Sequence, residues 1–290
     1  MKYKIINRNK LYITIFIDTI CKIVFLPLKI FRSNSLIDSH IKEVLIIRTA
    51  YIGDVLMTLP ILKPLKEKFP KARISFMTSK DSGELLKGNP YIDKIFYFNP
   101  FWFYKSSVME YLKFIREIRK EKYDLVIETR GDIREILFIV SLLKSRFKMS
   151  YGFGGGTCLL THVVPFDEVK HRIEYHLDLV RYLGCFINKI DWGIYLQDDE
   201  KLKIKEILEI NGIKRPYILI HPGARLPLKR WSIVKYASLC NLLIEKYRMD
   251  VILLDSKQEI EPLDNNFQNM KCKPVSYVGK LSLRELAGLI

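Results

Sequence analysis

The segment around Asp54 has the residue types and spacing that most directly suggest chemistry. An apolar run at residues 44–47 passes through a short turn into a helical pattern, and Gly53 and Asp54 lie at the junction. Such a turn, at the carboxyl end of a parallel strand, opens onto the crevice where α/β proteins bind ligands. Gly53 allows a backbone or a ligand to approach closely. The Asp54 carboxylate either caps free N–H groups of the helix or faces the cleft, and the spacing leaves both roles open.

A second candidate site follows a later strand pattern. Residues 220–231 read IHPGARLPLKRW and place His221, Arg225, Lys229 and Arg230 in one compact loop. Cationic side chains at the carboxyl end of a strand suit a diphosphate, which gains charge as it leaves. The alternative is an ordinary solvated basic surface, which charge placement alone does not exclude.

Alternating strand and helix patterns position these segments. From residue 43 onward, short β-branched runs alternate with helical patterns, which is typical of a parallel sheet with crossover helices. The predicted strands of the first domain are Glu43–Arg48, Arg73–Thr78, Lys94–Phe98, Asp124–Glu128 and Lys148–Gly152, and the predicted helices are Asp54–Phe69, Asp81–Lys87, Ser106–Lys122 and Asp132–Ser145. Together these elements predict one doubly wound α/β domain.

A second strand–helix series begins after a predicted helix at Arg172–Leu183 and a charged stretch at 197–210. Its predicted elements are the strands Tyr217–His221 and Asp250–Asp255, the helix Ser232–Tyr247 between them, and a last helix that begins at Ser282. We therefore expect a basic amphipathic segment at 1–40, a Rossmann-like domain at 41–212 and an incomplete Rossmann-like domain at 213–290. The second domain is called incomplete because a free-standing domain more often has about 100–150 residues.

Composition narrows the classes of function. The chain has 48 Lys and Arg against 32 Asp and Glu, a net charge of +16, which draws it toward phosphates on nucleic acid, anionic lipid or a phosphorylated sugar. No nucleic-acid-binding motif accompanies this charge, so we expect no nucleic-acid partner. The five cysteines are widely spaced and form no pattern of metal ligands. We interpret them as reduced thiols of a cytoplasmic protein.

Residues 11–31, LYITIFIDTICKIVFLPLKIF, form the one segment that looks suited to a membrane. Asp18, Lys22 and Lys29 interrupt it, and each charge at the centre of a bilayer costs a few kcal/mol on insertion scales. Because residues 1–32 have seven basic residues and one acid, we favour a basic amphipathic helix lying on the inner face of the cytoplasmic membrane. The alternative is a helix packed on the protein itself.

Several segments, in the same order along the chain, resemble the heptosyltransferase family of glycosyltransferases. The resemblance runs from about residue 43 to residue 290. It rests on the Gly-Asp turn after the first strand, PILKPLKEKFPKARISFMTSKDSGELLKGNPYIDKI at 60–95, YDLVI at 123–127, EYHLDLVRYLG at 174–184, HPGARLPLKRW at 221–231 and VGKLSLRELA at 278–287.

The resemblance implies a GT-B fold, in which the first of two Rossmann-like domains binds the acceptor and the second binds a nucleotide-sugar. It implies inverting transfer of a heptose or related sugar, from ADP-heptose or another nucleotide-sugar, to a lipopolysaccharide or cell-surface glycan, with no metal. Asp54 matches the general base, Lys229 the residue that contacts the donor diphosphate, and Glu259 an acid near the ribose. His221 and Arg225 belong to the same donor loop.

The resemblance also directs attention to arginines that would bind an acidic acceptor sugar. Arg48, Arg130 and Arg134 follow first-domain strands, and Gly53 lies beside the base. Guanidinium groups bind carboxylates and phosphates in a bidentate fork. Arg134 has the alternative of pairing with acids on the surface of its own helix.

One departure from the family pattern affects the donor site. The family continues, after a segment like 279–290, with a strand and an Asp-Ser/Thr-Gly-Pro-x-His motif whose backbone amides bind the donor phosphates. This sequence has no such motif. We therefore expect either a piece of a longer protein or a chain truncated at its C-terminus. The alternative function is a catalytically inert remnant or an acceptor-binding module of the same family.

Overall fold

The chain forms two compact units, Met1–Tyr195 and Leu196–Ile290. The computed structural model describes residues 8–25, 40–166, 169–213, 216–224, 226–254 and 273–290. Each unit is built around its own parallel sheet with helices, as the alternating patterns predict.

The first unit contains a six-stranded parallel sheet with the order β3-β2-β1-β4-β5-β6. This is the doubly wound order, in which the chain reverses its direction of winding between β1 and β4. The short strand β6 pairs with β5 and was not predicted from the sequence. The strands are β1 Glu43–Ile47, β2 Arg73–Thr78, β3 Lys94–Tyr97, β4 Lys122–Glu128, β5 Lys144–Tyr151 and β6 His162–Val164.

Seven α-helices of the described residues belong to this unit: α1 Arg8–Phe25, α2 Ile52–Leu56, α3 Leu62–Lys68, α4 Lys80–Glu84, α5 Val108–Ile118, α6 Ile133–Phe138 and α7 Arg172–Tyr182. The helix predicted at 54–69 is broken into α2, a 3-10 turn and α3, where Pro60 cannot donate a backbone hydrogen bond. The helix predicted at 132–145 ends early, because β5 begins at Lys144.

Alternating strand residues bury both faces of the sheet. Val44 and Ile46 point into one core together with residues of α3 and α7, whereas Leu45 and Ile47 point into the other with residues of α5 and α6. Successive side chains of a strand face opposite sides of the sheet, so a continuous apolar run is what a strand covered on both faces requires.

Helix α1 packs on the first unit against the 3-10 turn Thr157–Leu159. Its Thr14 and Asp18 side chains are buried. Among the described residues, no helix has the length and apolar character needed to cross a membrane.

The second unit has a three-stranded parallel sheet in the order β7-β8-β9, with β7 Tyr217–Ile220, β8 Asp250–Leu253 and β9 Val275–Ser276. Its described helices are α8 Asp198–Ile210, α9 Ile233–Glu245 and α10 Leu283–Leu289. The short strand β9 was not predicted.

The boundary between the units lies before α8, whereas the sequence placed it at 212–213. The reason is that α8 packs on α10 through side chains that only the fold brings together. Arg284 of α10 forms hydrogen-bonded ion pairs with Glu200 of α8, and Lys203 of α8 pairs with Glu285 at 2.6 Å.

Candidate active site of the first unit

The candidate site lies where the sheet of the first unit changes its direction of winding. Strands β1 and β4 are hydrogen-bonded neighbours there, and their carboxyl ends continue into Arg48 and Thr49 on one side and Thr129 and Arg130 on the other. In open α/β sheets, ligands bind outside the carboxyl ends of the strands at this point. The geometry therefore places the first predicted site at the position where the fold provides a crevice.

Asp54 is held by an ion pair rather than by a capping hydrogen bond. Helix α2 begins after Tyr51, and Asp54 is its third residue. One carboxylate oxygen, Oδ1, lies 2.8 Å from Nη2 of Arg48. The Asp54 side chain keeps 23% of its surface exposed. A carboxylate that is fixed on one side and open on the other can accept a proton from a bound hydroxyl group.

The backbone around Asp54 leaves space for a ligand. Tyr51 has φ 28°, a conformation that non-glycine residues rarely adopt and that clusters at functional sites. At Gly53, an added Cβ atom would meet no atom within 4 Å. Gly53 is thus not required by packing among the described residues, which fits its predicted role of allowing a substrate to approach.

Arg48 is a buried cation whose hydrogen bonds are incomplete. Its side chain is only 2% exposed. Nη2 pairs with Asp54, but Nε and Nη1 have no hydrogen-bond partner among the described residues. Burial lowers the pKa of Arg48, and the nearby Asp54 and Glu135 carboxylates oppose that shift. Because a guanidinium stays charged in proteins, Arg48 is a fixed positive charge beside the Asp54 carboxylate.

Glu128, the last residue of β4, forms a buried acidic group that the sequence did not single out. Its two oxygens accept hydrogen bonds from the backbone N–H groups of Arg130 (2.9 Å) and Gly131 (2.7 Å), and from the Ser150 hydroxyl. Burial, and next the adjacent Glu135 carboxylate, raise the pKa of Glu128 well above its ordinary value.

Glu135 of α6 completes this acidic pair. It is fully buried, and its Oε1 atom accepts a hydrogen bond from the Thr49 hydroxyl. Its Oε2 atom has no hydrogen-bond partner among the described residues. Two adjacent buried carboxyl groups cannot both ionise. The raised pKa of Glu128 favours the form in which its carboxyl group keeps a proton.

His176 of α7 lies close to the same guanidinium. Its side chain is buried, and neither ring nitrogen has a hydrogen-bond partner in the described part of the chain. Burial, and next the positive charge of Arg48, lower the pKa of His176 well below its ordinary value. His176 is therefore a neutral ring that can donate one hydrogen bond and accept another.

Arg130 and Arg134 form a more accessible basic surface at the start of α6. Their guanidinium carbons lie 4.3 and 4.5 Å from the ring centre of Phe103. Asp132, the N-cap of α6, accepts two hydrogen bonds from Arg134, at 2.9 and 2.7 Å. Arg134 thus pairs with an acid two residues away in the chain. This is close to the alternative left open by the sequence, in which Arg134 pairs with an acid of its own helix. The side chains of Arg130 and Arg134 remain 28% and 39% exposed, so both can still reach an acidic ligand.

The second predicted site follows β7 in the second unit. His221 is exposed directly after the strand, and Lys229 is exposed at the end of a 3-10 turn. The Arg230 side chain donates a hydrogen bond from Nε to the Ala224 carbonyl at 2.7 Å, which closes the loop on itself. Arg225 and Glu259, the other two predicted donor-binding residues, lie outside the described residues.

The structure therefore brings some predicted residues together and adds others. Arg48 and Asp54 are in direct contact. Glu128, Glu135 and His176 were missed. A signal for Glu128 was present, since an acid ends an otherwise apolar strand pattern; His176, on the apolar side of α7, gave no signal that separates it from a core histidine.

Residues 111–290 match glycosyltransferase family 9 (heptosyltransferase). Among relatives, the lipopolysaccharide heptosyltransferase 3 of Escherichia coli strain K12 is 27% identical over 248 residues, which cover 83% of this chain and 72% of that protein.

Solved structures show the same fold. A glycosyltransferase family 9 protein from Veillonella parvula superposes with a TM-score of 0.75 at 20% identity, over 85% of this chain and 72% of the other. The Escherichia coli heptosyltransferase WaaC with ADP gives a TM-score of 0.69 at 17% identity, over 85% and 78% of the two chains. The mixed α/β fold is therefore the GT-B type of these proteins, with a small second unit.

Proposed function

The chain belongs to glycosyltransferase family 9, the heptosyltransferase family, and we propose that it transfers a heptose or a related sugar from a nucleotide-sugar to a lipopolysaccharide-type acceptor. The single observation that carries the proposal is the Arg48–Asp54 pair at the carboxyl end of β1. It places a partly exposed carboxylate, fixed by a buried guanidinium, at the ligand-binding edge of the sheet.

The proposed reaction needs one proton acceptor. An acceptor hydroxyl attacks the anomeric carbon, its oxygen forms the new glycosidic bond, and its proton passes to Asp54. The bond from the anomeric carbon to the diphosphate breaks on the opposite face, and the nucleoside diphosphate leaves with the electron pair. Arg48 orients Asp54 through their ion pair.

For the donor, we propose ADP-heptose or another nucleotide-sugar, bound by the loop that contains His221, Arg225 and Lys229, with Glu259 near the ribose. Support comes from relatives, since a solved structure of WaaC has ADP-2-deoxy-2-fluoro heptose bound. The cations of this loop suit the charge that develops on the departing diphosphate. The proposed reaction requires no metal ion.

For the acceptor, we propose an acidic sugar that meets Arg130 and Arg134. The exposed parts of these two guanidinium groups favour an acceptor with carboxylate or phosphate groups. A cavity of about 430 Å³ at the carboxyl end of β3 is lined by three lysines, Lys80, Lys105 and Lys113, and by two acids, Glu110 and Glu117. We place the reaction in the cytoplasm, on the inner face of the cytoplasmic membrane, where a lipid-linked acceptor would be reached.

The test compares two acid-to-amide variants in a transfer assay with ADP-heptose and a lipopolysaccharide-core acceptor. Asp54→Asn keeps an oxygen for Arg48 but removes the base, so we expect the transfer rate of the folded variant to fall by about 10²–10⁴-fold. Asp81→Asn changes an exposed acid in the first turn of α4 and serves as the control.

Normal turnover by Asp54→Asn would show that the base is another residue. A folded wild-type chain that binds acceptor but no nucleotide-sugar would instead favour the acceptor-binding module.

A further inference from the structure

Helix α1 has a buried polar side and an exposed apolar side. Thr14 and Asp18, one turn apart, face the protein. At about 100° per residue, six exposed large apolar side chains lie on the side of the helix circumference that faces away from these two, and they share that side with Asn9 and Thr19: Tyr12, Ile13, Ile15, Phe16, Ile20 and Ile23. Phe16 and Ile23 are 66% and 70% exposed. This surface, which we call the α1 apolar face, is continuous along the helix.

Asp18 sets the orientation of the helix. Its Oδ1 atom accepts a hydrogen bond from the backbone N–H of Gly156 at 2.9 Å. The Asp18 carboxylate, which interrupts the apolar segment in the sequence, therefore faces the protein interior. Asp18 is also the one acid of residues 1–32, and its side chain is buried.

The polar atoms near the α1 apolar face suit an anionic lipid surface. Thr19, which lies on the exposed side, donates its hydroxyl to the Ile15 carbonyl at 2.7 Å, so this group is already satisfied when the face leaves water. Seven basic residues occur within residues 1–32, and Arg8 is exposed at the start of the helix. An apolar face with basic flanks is the pattern of helices that lie in the plane of an anionic membrane.

We propose that the α1 apolar face docks the first unit on an anionic lipid bilayer. The Gly152–Gly156 loop, which binds Asp18, also packs against the start of α6, since an added Cβ at Gly154 would overlap the Gly131 carbonyl. Through this loop, docking of α1 would fix the position of the start of α6, beside Arg130, relative to the lipid surface. That consequence rests on the proposed function, because it matters only if the acceptor is membrane-linked.

The test is sedimentation of the full chain with vesicles of phosphatidylcholine alone or mixed with phosphatidylglycerol. We expect binding to the mixed vesicles that weakens with salt. Replacing two apolar anchors, Phe16→Ser with Ile23→Ser, is expected to lower the partition coefficient by at least about tenfold. The matched control is Met109→Ser with Leu112→Ser on α5, whose side chains are 73% and 53% exposed and which should bind like the wild type.

Three results would overturn the proposal: no binding of the wild type to the mixed vesicles, equal binding by the Phe16/Ile23 variant, or a dimer that this variant abolishes while vesicles stay unbound. The last outcome would assign the face to a second copy of the chain. Asp54→Asn must bind vesicles like the wild type, because vesicle binding needs no transfer. Lost transfer with intact vesicle binding would therefore contradict the enzymatic proposal alone.

Discussion

At the residue scale, the site depends on how one buried cation is neutralised. Arg48 pairs with Asp54 and lies near the buried Glu128–Glu135 pair, in which burial raises the pKa of Glu128. Leaving a buried charge without partners costs several kcal/mol. The acidic pair is therefore expected to hold Arg48 in place, so that Asp54 is oriented by a group that itself cannot move freely.

This charge arrangement predicts how stability depends on pH. The pKa of Glu128 is higher in the folded chain than in the unfolded chain, so the folded state keeps a proton that the unfolded state releases. The stabilisation that comes from this bound proton is fully present below the ordinary glutamate pKa. It is lost as the pH rises through the pKa that Glu128 has in the folded chain. In Glu135→Gln, the new amide can donate to Glu128, which lowers the pKa of Glu128 and flattens this decline.

Urea unfolding at a series of pH values measures the effect, which amounts to about 1.4 kcal/mol for each unit by which the pKa falls. Glu117→Gln, at an exposed position of α5, is the control and should follow the wild-type curve. Parallel curves for Glu135→Gln and the wild type would show that Glu135 does not raise the pKa of Glu128.

Lys229 gives a second prediction at this scale. Its exposed ammonium follows β7 in the predicted donor loop, and a lost charge-assisted hydrogen bond is worth about 1.5–3 kcal/mol. We expect Lys229→Ala to weaken ADP-heptose binding in calorimetry by about ten- to a hundredfold. Lys235→Ala, at an exposed site in α9, should bind normally. An unchanged Kd for Lys229→Ala would remove this residue from the donor site.

At the scale of elements, the site is built by strand ends and the turns that follow them. β1 delivers Arg48 and, through α2, Asp54; β4 delivers Glu128 and, through α6, Glu135. The glycine-rich loop Gly152–Gly156, which follows β5, packs against the start of α6. Gly156 adopts φ +76° and packs on Ile136, which is a backbone conformation that favours glycine.

This support predicts opposite outcomes for two glycine substitutions. Gly154→Ala would force a methyl group into the Gly131 carbonyl, so we expect a loss of about 1–3 kcal/mol in unfolding free energy together with weaker acceptor binding. Gly53→Ala meets open space and should fold at least as well as the wild type, because alanine favours the helix. Thermal unfolding with acceptor titration distinguishes them. A stable Gly154→Ala variant would contradict the packing argument.

At the scale of the whole molecule, the chain is two α/β units of unequal size. The second unit has a short sheet, and its small core is supplemented by the α8–α10 contact. Arg284 is 8% exposed and donates to both carboxylate oxygens of Glu200. Stability of the second unit therefore depends on an ion pair between helices as well as on apolar packing.

We expect Arg284→Ala to destabilise the second unit by about 1–3 kcal/mol, because it leaves the Glu200 carboxylate without its main partner. Hydrogen exchange should become faster in β7–β9 while β1–β6 keep their protection. Lys203→Ala breaks the pair with Glu285, in which Lys203 is 62% exposed, and should change stability by less than about 1 kcal/mol. Equal effects of the two variants would show that burial of the Arg284 pair is unimportant.

The sequence by itself determined the order of the longer strands and of most helices, the two strand–turn segments around Asp54 and Lys229, and the family resemblance that the match to glycosyltransferase family 9 confirms. These features are local, since hydrophobic period and turn residues are read within a few positions. The short strands β6 and β9 were not predicted. Only the tertiary structure decided that Asp54 pairs with Arg48, that Glu128 and Glu135 share a buried site, that His176 joins them and that Asp18 faces inward. Those contacts join residues far apart in the chain, or depend on which side of an element packs, and strand order and burial fix them rather than any local pattern.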